Sequence, residues 1–265
     1  MPKQSMKTTA KNELLKIIEA RPRSLQAFRW LYGNEAVSQY LKMSNVMAVN
    51  RLGYNDHGPV HAVISARNST KILDLISRQT QPTIVAEGSG DIDDSTLVTV
   101  AGAYLHDIGN AVHRRSHEIH AVVLCAPIVR DLTHRIYDDE SKATQIASEI
   151  LHAVYSHEED IRCLTIEAGC VRVGDGADME KGRARVPYDL GSVDIHSLSA
   201  LSIEKVEIVP GEDRPVLIRV HCSSSAGIFQ VEKVLGEKIR TSNIDHLIKV
   251  RSLVNGEDSG FELAY

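Results

Sequence analysis

Four cysteines in 265 residues are too few to staple a chain of this length, and no Cys-x-x-Cys pair offers a zinc site. Cys125, Cys163, Cys170 and Cys222 are expected as buried thiols in a reducing compartment. No apolar run approaches the ~20 residues that a membrane span needs. The opening residues, Met1 to Ser5, lack the apolar core of a secretory leader, so a cytoplasmic location without membrane attachment is expected. Basic charge is not in excess either: Lys plus Arg is 30 against 35 Asp plus Glu, a formal net charge of -5. That balance disfavours duplex nucleic acid as a partner. Internal repeats and low-complexity tracts are also missing.

What is present is an ordinary globular composition, 43% hydrophobic and 25% charged, long enough for one large domain with a smaller companion. Apolar residues recur at helical spacing through the first 185 or so positions. Leu14, Leu15, Ile17 and Ile18 form a first helix that ends at Pro22. A second pattern runs from Leu25 to Val46 and stops at the turn-like Gly53 to Asp56. Pro59 suits the first turn of the next helix, whose buried face is Val60, Val63, Ile64, Ile72, Leu73, Leu75 and Ile76. Ser95 is a candidate cap for a helix reaching Gly109, and further helices are expected near 115–134, 141–156 and 165–180. After Pro187 the pattern changes. Residues 206–209, 216–220 and 247–250 read as strands, and Ile228, Val231, Val234, Leu235 and Ile239 mark an amphipathic helix. The expected fold is mainly α: a helical domain over 1–187 followed by a small α+β unit, ββαβ, over 188–265.

Histidine carries the chemistry. Nine of the 12 lie between His57 and His157. In chain order the candidate ligands are His61, the pair His106 and Asp107, His117, His157 and Asp175, each on or at the end of a helix. Imidazole mixed with carboxylate suits divalent ions such as Mn, Fe, Co, Ni or Zn, and six ligands suffice for two ions. Neighbouring His106 and Asp107 point about 100° apart on a helix, so both can reach one site only inside a bundle core.

That order, His, His-Asp, His, His, Asp, resembles the HD-domain superfamily of metal-dependent phosphohydrolases over roughly residues 50 to 187. Leu105 to Asn110 is similar to the superfamily's signature. Asp56 to Ala62 is similar to the two-histidine segment of cyclic nucleotide phosphodiesterases. Val173 to Met179 looks like the closing aspartate helix, and residues 113 to 120 are similar to those of uncharacterised archaeal-type members. The resemblance implies a helical HD bundle holding one or two divalent ions (Mn, Fe, Co, Ni, Zn or Mg). In it Asp107 would join two ions, with His61, His106 and Asp175 on one and His117 and His157 on the other. It also implies attack on phosphorus by a metal-bound water, with His57 protonating the leaving oxygen. The substrate would be a small phosphomonoester or phosphodiester, a nucleotide above all. No Gly-Tyr-Pro follows His157, which removes support for the cyclic dinucleotide branch.

Each assignment has a competitor. His57 competes with His61, His113 and His120 compete with His117, and His152 competes with His157. Asp178 shares a face with Asp175 at i, i+3, and pairs equally well with Arg183. Lys181, Arg183 and Arg185 are either a solvated basic helix end or a phosphate clamp, since guanidinium forks match phosphate oxygens. The same ligand set also serves a di-iron oxygenase, or a regulatory module in which metal is structural. All six ligand candidates precede Pro187, so the C-terminal unit, of unknown role, is expected to be dispensable for metal binding and free to support a homo-oligomer.

Overall fold

The computed structural model describes residues 3–180 and 199–264. Nine α-helices lie within residues 3–180 of the described chain: α1 (Lys3–Ile18), α2 (Pro22–Gly33), α3 (Glu35–Asn45), α4 (Pro59–Ile76), α5 (Thr83–Ala86), α6 (Ile92–Leu105), α7 (His117–His134), α8 (Glu140–Tyr155) and α9 (Ile166–Gly176). α6 is the axis of the bundle. Residues 93 to 105 are buried without a break, because apolar and small residues surround it on every side, and α2, α4, α8 and α9 pack around it. Its start lies upstream of the expected Ser95. Asp91 accepts from the backbone N–H groups of Asp93 and Asp94, and the Asp94 side chain accepts in return from the Asp91 N–H, a reciprocal cap that Ser95 cannot make one turn later.

α4 begins at Pro59, as the sequence expects, and carries His61 in its first turn. It crosses α9 so closely that a Cβ built on Gly174 would overlap the Ser69 side chain and lie 2.5 Å from the Ser69 backbone nitrogen. Glycine at 174 therefore sets the approach of the helices that carry His61 and Asp175. At the end of α6 a 3-10 turn, Ile108–Ala111, packs against the head of α7, and at Gly109 any Cβ would strike the His117 carbonyl. That contact draws His117 up beside Asp107.

The C-terminal part is a four-stranded sheet in the order β1 (Ile203–Pro210), β2 (Val216–Cys222), β3 (Ile248–Val254), β4 (Glu257–Leu263). β1 and β2 are antiparallel, β2 and β3 parallel, β3 and β4 antiparallel. The parallel pair is bridged by α10, which runs Ala226–Gln230, widens to a π turn over Val231–Leu235 and closes as Gly236–Arg240. β4 is absent from the sequence reading. Its run, Glu257 to Leu263, alternates exposed residues with the half-buried Ser259, Phe261 and Leu263 at the sheet edge, and opens on three polar residues.

The two parts share one apolar cluster. Ile72, Leu73, Leu75 and Ile76 at the end of α4, with Cys170 and Val173 of α9, pack with Ile208, Ile218, Val220 and Val250 of the sheet and Val231, Leu235 and Ile239 of α10. The boundary expected at 187/188 lies outside the described residues, as do Lys181, Arg183 and Arg185. All four cysteines are buried and none forms a disulfide. Among the described residues no helix is long and apolar enough to cross a membrane.

Candidate metal centre

Five imidazoles form a row through the bundle core. Ring centroids lie 5.8 Å apart for His57 and His61, 5.1 Å for His61 and His106, 4.8 Å for His106 and His157, and 4.9 Å for His157 and His117. Asp107 lies against this row, 2% exposed, with one oxygen toward each half. Its Oδ2 is 2.8 Å from His57 Nδ1, 3.3 Å from His61 Nε2 and 3.4 Å from His106 Nε2. Its Oδ1 is 3.4 Å from His117 Nε2 and 4.0 Å from His157 Nε2. Asp175 Oδ1 completes the first half at 3.1 Å from His61 Nε2 and 3.6 Å from His106 Nε2. Glu158 Oε1 completes the second, 3.1 Å from His117 Nε2 and 3.7 Å from His157 Nε2.

The protons explain why such a cluster suits a cation. His106 Nδ1 donates to the Ala103 carbonyl at 2.8 Å, and His61 Nδ1 donates to Asp178 Oδ2 at 2.6 Å. In each neutral ring the remaining Nε2 therefore carries a lone pair, and these two nitrogens face each other at 3.2 Å. Acceptors aimed at one another inside a protein core are unstable unless a proton or a metal ion sits among them. The second half repeats the arrangement: His157 Nδ1 donates to the Val154 carbonyl at 2.6 Å, leaving its Nε2 3.0 Å from His117 Nε2. Nitrogen and oxygen donors mixed in this way fit a borderline divalent ion.

Charge follows the same logic. Burial raises the Asp107 carboxyl, but His106 and His57 outweigh it and hold it well below its usual range. Asp175 is likewise raised by burial and lowered further by Lys238 and His106, so both carboxylates are ionised. Burial, with His106 and His117 nearby, pushes His157 well below its usual value, leaving it neutral and able to ligate. His106 goes the other way: burial lowers it, yet Asp107 and Asp175 bring it up to about 9.

Of the residues singled out in sequence, His57, His61, His106, Asp107, His117, His157 and Asp175 converge here. Their competitors do not join them: His113 takes the Arg115 N–H at 2.9 Å, His120 faces the His113 carbonyl, and His152 takes the Leu164 N–H at 3.0 Å. Asp178 joins the centre through His61. Three participants escape the sequence reading. Glu158 is one. Lys238 reaches across from α10, its ammonium 2.9 Å from Asp175 Oδ2, 3.4 Å from Glu159 Oε1 and 3.1 Å from the His157 carbonyl. Arg172, fully buried on α9, donates to the carbonyls of Ser156, Glu158, Ile161 and Thr241 and so fixes the loop that carries His157 and Glu158. No spacing rule finds these contacts, which join elements distant in the chain.

The centre opens into a cavity of about 220 Å³ lined by His57, Asp107, Asp175 and Glu158 together with Tyr54, Met179, Gln230 and Val234. His57 is held at its rim by Asn45, whose Oδ1 accepts the His57 N–H at 2.8 Å and whose amide donates to Asp56 at 3.2 Å.

The model of the HD domain matches residues 70–180, a span that holds His106, Asp107, His117, His157 and Asp175 and begins past His61. The chain is 49% identical over 233 residues to an uncharacterised protein of Methanocaldococcus jannaschii, covering 88% of this chain and 90% of the relative. No solved structure matches significantly.

Proposed function

The chain belongs to the HD-domain family, a superfamily mostly of metal-dependent phosphohydrolases, and from that premise we propose that it hydrolyses a small phosphomonoester or phosphodiester, a nucleotide above all. The observation that carries this reading is Asp107, one carboxylate whose two oxygens face two separate sets of nitrogen and oxygen donors. Divalent ions bound there would supply an activated water and neutralise the charge that develops on phosphorus.

In this reading His61, His106, Asp107 and Asp175 hold one ion, and Asp107, His117 and His157 hold the other. His57 lines the cavity with its Nδ1 fixed by Asp107, which orients the ring as a proton donor to the leaving oxygen. Asp178, by accepting the His61 proton, keeps that ring in the tautomer that ligates through Nε2. Lys181, Arg183 and Arg185 stay in the proposal as phosphate-binding residues.

The test is metal analysis of the purified chain together with a panel of nucleotides and simple phosphoesters, with Asp107→Asn as the control. Expected is phosphate release that needs a divalent ion and disappears in D107N. Oxygen consumption by the iron-loaded chain without phosphate release would select the di-iron oxygenase instead. A metal-loaded chain with neither activity would leave a regulatory module.

A further inference from the structure

Arg114 precedes α7 by three residues and reaches back over its first turn, where its Nη1 lies 2.8 Å from His117 Nε2 and its Nη2 3.5 Å from Glu158 Oε1. The guanidinium is always charged and can only donate, so at that distance the ring nitrogen must offer its lone pair. The same pair faces His157, Glu158 and Asp107, the direction in which a second ion would be held. One lone pair accepts one occupant, and two cations within about 3 Å of each other repel strongly in a buried setting. Arg114 and a divalent ion are therefore alternatives at His117.

The cavity supplies the other half of the argument. Among the described residues that line it, the cations are Arg114 and Lys238. Lys238 has three N–H groups and meets three acceptors, Asp175 Oδ2, Glu159 Oε1 and the His157 carbonyl, so it has none left for a ligand. Arg114 has five N–H groups, a side chain 29% exposed, and the exposed Tyr54 ring 5.9 Å from its guanidinium carbon at the cavity edge. A guanidinium displaced from His117 stays beside the cavity, with a planar fork matched to phosphate oxygens.

We propose that Arg114 is a phosphate-binding residue of this centre, and that it assumes this role when a divalent ion takes its place on His117. The phosphate half rests on the phosphohydrolase reading above. The competition with the ion does not, because it follows from the shared lone pair alone.

The experiment uses the full chain, wild type, Arg114→Gln and Arg114→Lys, with circular dichroism confirming the fold of each. Manganese is titrated first at pH 8, and inorganic phosphate is then titrated into the manganese-saturated proteins. R114Q is expected to bind the second equivalent of manganese about tenfold more tightly than wild type, and phosphate roughly ten- to a hundredfold more weakly, the loss of one charge-assisted pair. R114K keeps the charge but not the fork, and should fall between them on both counts. A second manganese affinity unchanged in both variants, or no second equivalent in R114Q at millimolar manganese, overturns the competition. Unchanged phosphate affinity overturns the ligand role. If the wild type hydrolyses phosphoesters while Arg114 fails these tests, the functional reading stands without it. Wild-type protein that binds manganese but neither binds phosphate nor releases it from any ester removes the functional reading and, with it, the phosphate half of this one.

Discussion

At the scale of single residues, a proton on His106 holds the place that a metal ion would take. Burial disfavours a charged His106, but Asp107 and Asp175 hold its proton up to about 9, above the ordinary 6.5. Without an ion this proton contributes stability that is complete below pH 6.5 and is lost as the pH rises through about 9. An ion at the same nitrogen must release it, so affinity runs in the opposite sense. Manganese affinity is expected to rise by up to about tenfold per pH unit and flatten above pH 9; titrations from pH 6 to 10 with parallel measurement of proton release check this. A pH-independent affinity over that range would mean that His106 is not displaced. Asp178→Asn gives a second prediction. The Asn side chain keeps the shape but not the charge that holds the His61 tautomer, and metal affinity should fall about ten- to a hundredfold, the usual cost of losing such a partner. Equal affinity in D178N would reduce Asp178 to a helix-end residue. The sequence shows Asp178 on the face of Asp175 but not which distant group it meets. A pairing with Arg183 is the alternative that the sequence offers, and it lies outside the described residues, whereas the meeting with His61 shows only once α4 and α9 cross.

At the scale of elements, the decisive feature is how closely α4 and α9 approach. Gly174→Ala places a methyl group against the Ser69 backbone as well as its hydroxyl. The helices must move apart, at a cost of about 1 to 3 kcal/mol, and His61 and Asp175 separate with them. Thermal denaturation and metal content of G174A should both fall, and adding Ser69→Ala should not restore them, since the backbone contact remains. Full recovery in that double variant would show that the clash is with the hydroxyl alone. Periodicity and the turn residues made most helices legible, including α4 at Pro59 and the limits of α7 and α8. The cap of α6 was misplaced because the local pattern of Asp91 to Ser95 offers several capping residues, and the winner depends on reciprocal bonds within that turn. β4 was missed for a different reason: an edge strand is defined by its partner, and Glu257 to Leu263 pairs with β3 without an apolar signature.

At the scale of the whole molecule, the C-terminal part is built into the centre. The sequence places every ligand candidate before Pro187 and on that ground expects the remainder to be dispensable. The shared cluster and Lys238 argue otherwise. Truncation near residue 190 would uncover Ile72, Leu73, Leu75 and Ile76, at about 1.5 to 3 kcal/mol for each side chain. The sum is comparable with the entire stability of an ordinary domain, about 5 to 15 kcal/mol. The truncated chain is expected to aggregate or to lose cooperative unfolding, as read by size-exclusion chromatography and calorimetry. A soluble, cooperatively folding fragment that retains its manganese would instead establish two independent units.

The same cluster has a consequence for synthesis. The apolar end of α4 is complete at Ile76, whereas the strands it meets, β1 and β2, are not finished until Cys222. A ribosome adding about 5 to 20 residues per second needs on the order of 7 to 30 s to cover that interval. During that time the nascent chain carries a sticky helix end that α9 covers only in part. The cluster is thus expected to close only once β2 has left the ribosome, and stalled intermediates ending before β1 should be the species that a chaperone binds during translation.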